Sequence, residues 1–498
     1  MVRTNTAAKE EKVYTAEGAL AQKVDPYREL RRSVLTCLLW EEIFYESGNT
    51  VATRIADLVP KCTPQQVVDL AVEARSKMQL RHVPLYLIRE LARIKGNGSY
   101  VAAGLSKVIQ RADELSEFLA IYWKDKKQPL SAGVKRGLAE AFQQFSAYSL
   151  AKYDQDSKVK LRDVLFMVHA KPKAATSQVN NGQFEYRHVT QASPLRKGKY
   201  HRGRVDRNMS GQGYDWYRLI ARDLPTPDTW EANLSAGEDK KVTFERLLEE
   251  GKLGGLAVLR NLRNMQQAGV REALIRERLL KGCERALPFR FIAAAKYAPG
   301  LEDAIEQAML LCVEQTPKLP GRTLLIVDTS GSMNGQLSAK SGMTRVDAAC
   351  GVTIMAREIC EQVKVYATAG DDFRGKHATM LIPARRGFAL SDAIKEAPQT
   401  IGGGGIFLVQ CLDYIASQET EKFDRVIIFT DEQDCDRKAN PASAKKLGYT
   451  NYVVNVAPHK NGISYKNGWE HIDGWSEHVL DYIRDIESEN TPAQSSQN

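Results

Sequence analysis

The sequence contains no run of about 18 apolar residues, so no segment reads as a membrane-spanning helix. None of its eight cysteines forms a CxxC pair, and most sit in apolar, helix-like patterns. That excludes a spacing-based zinc site and points to free thiols in a reducing compartment. The opening stretch MVRTNTAAKEEKVYTAEG has no apolar core of the kind a secretory signal needs, which makes a cytoplasmic protein the expectation. There is no GxxxxGK[ST] phosphate loop and no HExxH. The acidic pairs Asp371-Asp372 and Asp434/Asp436 read as solvated carboxylates that follow strands. No enzyme is expected on these grounds.

What is present is a chain of 498 residues, too long for one core, since single cores rarely pass roughly 250–300 residues. Its net charge of +9 is unevenly spread. From Gly321 onward 19 Lys and Arg face 23 Asp and Glu, so the first 320 residues carry +13. Between Lys171 and Arg222 there are 11 basic residues against three acids, Glu185, Asp206 and Asp215. Such a concentration suits a polyanion; the plainer alternative is a loop kept basic for solubility.

Residues 1–24 read as a tail and 25–316 as helical. Thr63-Pro64 is an N-cap followed by a first-turn proline, leading into Val67, Leu70, Ala71, Ala74 and Met78. Helical periodicity continues over Val83–Arg93, Val101–Leu119, Gly133–Ala151, Leu161–His169, Phe244–Glu250 and Ala257–Ala268. Short amphipathic helices joined by short turns predict stacked pairs, as in a HEAT-like solenoid. The polar stretch 172–217 interrupts them, and a long polar insert in a helical domain is a functional candidate. Within it Tyr186, His188, Tyr200 and His201 alternate with Arg187, Lys199, Arg202 and Arg204, a mixture suited to stacking on unpaired bases. Lys171, Arg196, Lys197 and Arg207 complete the candidate phosphate contacts. Trp40, Trp123 and Trp230 are expected in the core.

Pro317–Gly321 cannot continue a helix and reads as a linker. Beyond it, over 322–488, the period changes. Leu324–Val327, Val365–Ala369, Val426–Phe429 and Tyr452–Val456 are apolar strands, with helices over Val346–Val363 and Leu408–Ser417. The alternation predicts a doubly wound α/β sheet, followed by a polar tail at 489–498. Directly after the first strand comes Asp328-Thr329-Ser330-Gly331-Ser332. Asp328, Ser330 and Ser332, spaced by two, offer one carboxylate and two hydroxyls, a hard oxygen set suited to Mg²⁺ or a similar divalent ion. Thr430-Asp431 ends a later strand and adds a second carboxylate, Asp431, at the same edge.

DxSxS after an apolar strand resembles the metal-ion-dependent adhesion site of von Willebrand A domains. In that family a threonine from a separate Gly-Gly-Thr loop completes the ion's shell. Here the stretch reads Ile401-Gly402-Gly403-Gly404-Gly405-Ile406, and the threonine is missing near Gly405.

Further motifs extend the resemblance over most of residues 25–490. They are Tyr148-Ser149-Leu150-Ala151-Lys152-Tyr153, Leu161-Arg162-Asp163-Val164-Leu165 with His169-Ala170-Lys171-Pro172, Leu259–Met265, and Leu287-Pro288-Phe289-Arg290. In this order, before an A-type domain, they resemble the Ro family of TROVE-domain RNA-binding proteins. The resemblance implies a ring of helical repeats shut by the A domain, monomeric, with no membrane association. It implies binding of single-stranded 3′ ends of misfolded RNA and of a small structured Y RNA, in RNA quality control or beside an exoribonuclease. It places RNA contacts at Lys152 and His169, while Asp156 stands where the family has a basic residue. A different class of function keeps the helical part as a scaffold and lets the metal of the A domain grip an acidic residue of a protein partner.

Overall fold

The computed structural model describes residues 12–14, 18–21, 25–35, 48–78, 80–154, 159–172, 212–283, 286, 288–314, 316–336, 342–440, 443–457, 468–473, 479–480, 483–484 and 487. They fall into two compact units, one of residues 55–239, the other of residues 1–54 together with 240–498. A division at residue 317 does not separate these units, because the helices from Lys240 onward group with the sheet.

The first unit is helical. Thr63 begins the Pro64–Ser76 helix with a capping box: its hydroxyl accepts from Gln66 N–H at 3.3 Å, and Gln66 Oε1 accepts from Thr63 N–H at 2.9 Å. The continuous helix expected over Val101–Leu119 is instead two, Gly98–Val108 and Asp113–Tyr122. The break has a cause in Glu114, a fully buried carboxylate that accepts the N–H groups of Gln110 (2.8 Å) and Arg111 (3.0 Å) and pairs with buried Arg75 at 2.8 Å. Gly133–Ala151 likewise divides into Ala132–Phe142 and Ala147–Tyr153, the second opened by Ser146, whose hydroxyl accepts from Ser149 N–H. Gly133 and Gly137 let the helices Gly98–Val108 and Ala132–Phe142 touch. A Cβ at Gly133 would lie 2.5 Å from the Gly98 carbonyl oxygen, and one at Gly137 2.9 Å from Ala102 Cα. The Leu161–Val168 helix follows.

In the second unit, a six-stranded sheet comprises β1 (Leu319–Asp328), β2 (Cys360–Asp371), β3 (Lys376–Leu381), β4 (Phe423–Thr430), β5 (Gly448–Asn455) and β6 (Glu470–Asp473). Their order across the sheet is β3-β2-β1-β4-β5-β6, all parallel except the edge strand β3. This is the order of a doubly wound α/β sheet. β1 begins at Leu319, inside the segment expected to be linker, and β2 starts at Cys360, directly where the Arg345–Ile359 helix ends. Leu324–Val327 is fully buried, as a central parallel strand requires. Leu324 and Ile326 pack with Leu408, Cys411, Leu412 and Ile415 of the Leu408–Gln418 helix. The alternate residues Leu325 and Val327 point to the opposite face. The Arg345–Ile359 helix packs on β1 and β2 and on the Pro288–Tyr297 helix. Its Asp347, second partner in the capping box of Thr344, is bound by Lys296 and by Lys395 (2.7 Å). Those cations hold its buried carboxyl down at about 2.

Seven of the eight cysteines are described, and all seven are free thiols.

Candidate nucleic-acid interface and metal loop

The metal-loop residues do converge. Strands β1 and β4 pair in parallel with Val327 opposite Phe429, so their carboxyl ends set Asp328 beside Thr430. This is the point where the strand order reverses, the usual ligand crevice of such sheets. Asp328 is fully buried; Oδ1 accepts from Ser330 N–H (2.8 Å) and Oδ2 from the Thr430 hydroxyl (2.8 Å). Burial, with the Asp431 charge behind it, pushes the Asp328 carboxyl up to about 7. The Ser330 and Ser332 hydroxyls meet at 3.2 Å. One carboxylate and two hydroxyls are therefore assembled as the DxSxS spacing implies, and they suit a hard divalent ion.

Asp431 is different. Arg345, buried in the first turn of its helix, sets Nη1 3.2 Å from Asp431 Oδ2 and 3.3 Å from the Ser332 carbonyl oxygen. A protein cation thus already balances the second carboxylate. The glycine loop explains the missing threonine. A Cβ at Gly405 would lie 2.1 Å from Cys435 Sγ, and one at Gly404 2.6 Å from the Gly370 carbonyl oxygen. Gly405 N–H instead donates to Asp372 Oδ1 at 2.7 Å. The donors fit a divalent ion at Asp328, Ser330 and Ser332, with Asp431 already engaged by Arg345. Asp434 and Asp436, expected to be solvated, are buried; Asp434 accepts from Leu408 N–H (2.9 Å) and Asp436 N–H (2.6 Å). No signal in the sequence marked Arg345, whose role needs the fold to bring residues 345 and 431 together.

On the helical unit, Lys152 lies in the last turn of Ala147–Tyr153, with Nζ 5.8 Å from the Tyr153 ring centre. Arg111 covers the same ring at 4.6 Å. His169 and Lys171 are exposed just past the Leu161–Val168 helix. His169 holds a left-handed conformation, φ 54°, as the residue ending that helix. The helix that carries Lys152 ends at Asp154, which lines a cavity of about 290 Å³ with Lys160, Arg162 and Arg222. Burial raises the Asp154 carboxyl while the three cations oppose it. Arg222 is also left-handed, φ 60°. Arg187, Arg196, Lys197, Lys199, Arg202, Arg204 and Arg207 lie outside the described residues, as does Asp156. Trp123, expected in the core, is half-exposed and lines a second cavity. Arg260 and Arg290, from two of the quoted motifs, are neighbours. Partial burial and then the Arg260 guanidinium lower the pKa of Arg290.

Residues 220–351 match the TROVE domain. Telomerase protein component 1 of Rattus norvegicus is 23% identical over 287 residues, 46% of this chain and 11% of that protein. Its Mus musculus counterpart is 31% identical over 110 residues, 21% of this chain and 4% of that protein. The crystal structure of the Deinococcus radiodurans RO (RSR) protein superposes with a TM-score of 0.54 at 15% identity, covering 94% of this chain and 100% of that one. Part of the chain, residues 220–351, is thus TROVE-like in sequence, and nearly the whole of it is Ro-like in fold. The matched segment runs from the end of the Gln212–Ala221 helix to the Arg345–Ile359 helix and contains the Asp328 loop, so the TROVE match includes the start of the sheet region. The solved Ro protein shares the fold, helices followed by an α/β sheet. The chain spans only 11% and 4% of the length of the two telomerase components.

Proposed function

We propose that this chain is a non-enzymatic RNA-binding protein that captures single-stranded 3′ ends of misfolded or non-coding RNA, and a Y-like small RNA, for RNA quality control or for delivery to an exoribonuclease. The observation that carries the reading is the run of cations from Lys152 to Arg222. It begins on an ordered helix end, passes the cavity where Lys160, Arg162 and Arg222 face a single carboxylate, and takes in the 11 basic residues of Lys171–Arg222. Ammonium and guanidinium groups bind phosphates without reading sequence, and their affinity falls steeply with salt. The test is binding of a labelled RNA duplex, with and without a single-stranded 3′ tail, across a salt series. Tail-dependent, salt-sensitive binding is expected. Equal binding of both RNAs removes the 3′-end reading, and no binding to either at low salt removes RNA altogether.

The Asp328, Ser330 and Ser332 oxygens are in this reading a weak divalent-ion site, Mg²⁺ by the hardness of its donors, and Asp431 joins it only if Arg345 moves away. The hairpin tip between β2 and β3 favours a second role for the sheet. Phe373 there is 99% exposed, at the same carboxyl edge as Asp328 and beside Asp372, which holds the glycine loop. Exposed aromatics of this kind anchor protein partners. A partner captured in a Mg²⁺-dependent way and lost with Phe373→Ser supports that role; Mg²⁺-independent capture removes the ion from it.

A further inference from the structure

The cavity beside Trp123 lies outside the residues expected to touch RNA. Trp123 ends the Asp113–Tyr122 helix, and its indole N–H donates to the Gln128 carbonyl oxygen at 2.8 Å. The Tyr122 hydroxyl donates to the Pro129 carbonyl oxygen at 3.3 Å, so the 123–130 loop is pinned from two sides around the indole. The space it frames measures about 480 Å³, within the range of small-molecule sites. Trp123, Pro129, Leu130 and Met167 supply its apolar wall, Lys127 and Lys135 its charge, and no carboxylate lines it among the described residues. Lys127 Nζ stands over the indole, 5.7 Å from the ring centre.

We infer that this cavity is a nucleotide subsite, in which an unpaired base of single-stranded RNA stacks on Trp123 while its phosphates meet Lys127 and Lys135. The inference rests on the RNA-binding reading and adds to it a base-binding position. An isolated phosphate would have no use for the indole, and an apolar peptide anchor none for two ammonium groups. The combination of a π face with adjacent cations is what single strands require, and it tolerates any sequence because every base has a π face. Connectivity supplies the route. Met167, in the wall, is two residues before His169 and four before Lys171, the exposed pair at the start of the basic segment. At 3.8 Å per Cα step, His169 is within about 8 Å of Met167 along the chain. A strand held by His169 and Lys171 would therefore lie within reach of the cavity wall.

The test uses the full chain and a labelled, mixed-sequence RNA of about twelve nucleotides, a length within typical single-strand site sizes. Three variants are compared: Trp123→Ala, Trp123→Phe, and the double variant Lys127→Gln with Lys135→Gln. Stacking on an aromatic side chain predicts roughly tenfold weaker binding for Trp123→Ala with the salt slope unchanged. Trp123→Phe should keep most of the affinity and lose part of the RNA-induced quenching of tryptophan fluorescence. The lysine variant should flatten the salt slope by about 1.4, or 0.7 per lost phosphate contact. Parental affinity in Trp123→Ala, or parental quenching in Trp123→Phe, overturns the subsite while leaving RNA binding intact. If Trp123→Ala melts well below the parent, Trp123→Phe and the lysine variant decide alone. Failure of the parent to bind the oligonucleotide at low salt overturns both the subsite and the function beneath it. Displacement of the RNA by uridine monophosphate, but not by inorganic phosphate, supports a site for the whole nucleotide; displacement by phosphate alone overturns the stacking role.

Discussion

Arg345 and Asp431 face each other at 3.2 Å at the carboxyl edge of the sheet, both buried, at the same edge as Asp328. The guanidinium neutralises one of two neighbouring acids, and burial makes the other, Asp328, easier to protonate. The loop thus has two sources of positive charge available, a proton and an arginine, before any ion arrives. A divalent ion must compete with both.

That competition can be measured. Arg345→Gln should lower the melting temperature without metal, since breaking a buried ion pair from one side costs roughly 3–5 kcal/mol. It should also enlarge the stabilisation given by Mg²⁺, because ligand binding to the native state adds RT ln(1 + [L]/Kd) and Asp431 is now free to contribute. Calorimetry of parent and variant with and without Mg²⁺ checks it. An equal Mg²⁺ shift in both proteins means that Arg345 does not oppose the ion.

Asp434 predicts a pH dependence. Burial, with Asp436 adding to it, pushes its carboxyl up to about 7, whereas an unfolded aspartate titrates near 3.9. The native state therefore binds this proton more tightly than the unfolded state. Stability contributed by the protonated form is complete below about pH 4 and is lost as the pH rises towards 7. Asp434→Asn keeps an acceptor for Leu408 N–H but not for Asp436 N–H, so it should be more stable than the parent at pH 8 by less than the few kcal/mol, roughly, that the charge costs. The two should converge at pH 4–5. Melting curves across that range test it, and a gap that widens towards acid contradicts the sign.

These buried acids also show what was legible in the sequence. Apolar runs ending in Asp328 and Thr430 gave away parallel strands, because a central strand buried on both faces leaves no polar alternation. The two-residue spacing of Asp328, Ser330 and Ser332 then sufficed to assemble the loop. Asp434 and Asp436 looked like surface residues because composition says nothing of what covers a loop. The helix breaks near Gln110 and Gln143 were hidden for a similar reason. Periodicity continues through a turn when the flanking helices bury the same face, and only Glu114, reaching back to two N–H groups, reveals the break. Arg345 owes its surroundings to residues far away in the chain, which no local pattern encodes.

His169 offers a test that separates stability from function. A histidine at φ 54° occupies a position that helices usually end with glycine, at a steric cost of roughly 1–2 kcal/mol. Glycine there relieves the strain but adds entropy to the unfolded chain, so the net gain for His169→Gly should be at most about 1 kcal/mol. RNA affinity should fall in the same variant if the imidazole touches nucleic acid. A variant that is both more stable and binds RNA as the parent does would assign His169 to the fold alone. Denaturant midpoints and RNA titrations on one preparation give both readings.

The N-terminal Pro26–Leu35 helix is tied to the same loop through Glu432, the residue after Asp431. Glu432 is buried with φ 58°, and its carboxylate takes Arg32 Nη2 at 3.0 Å, Asn455 Nδ2 at 3.0 Å and His471 Nε2 at 2.6 Å. His471 Nε2 also lies 3.1 Å from Arg32 Nη2, so the imidazole sits against both the guanidinium and the carboxylate. Two donors and an imidazole therefore converge on one acid, and Glu432 N–H donates in turn to the Thr430 hydroxyl (3.0 Å), which donates to Asp328. Arg32→Met removes the counter-ion and leaves the carboxylate buried, a loss of roughly 3–5 kcal/mol. Arg32→Met with Glu432→Gln removes the charge from both sides and should recover most of that loss, giving a coupling energy well above the 0–1 kcal/mol of exposed pairs. If the pair matters only to the N-terminal helix, Mg²⁺ stabilisation will be the same in Arg32→Met as in the parent. If Glu432 holds Thr430 and Asp431 in register for the loop, the Mg²⁺ response will fall along with the stability. A double-mutant cycle run with and without Mg²⁺ decides between the two.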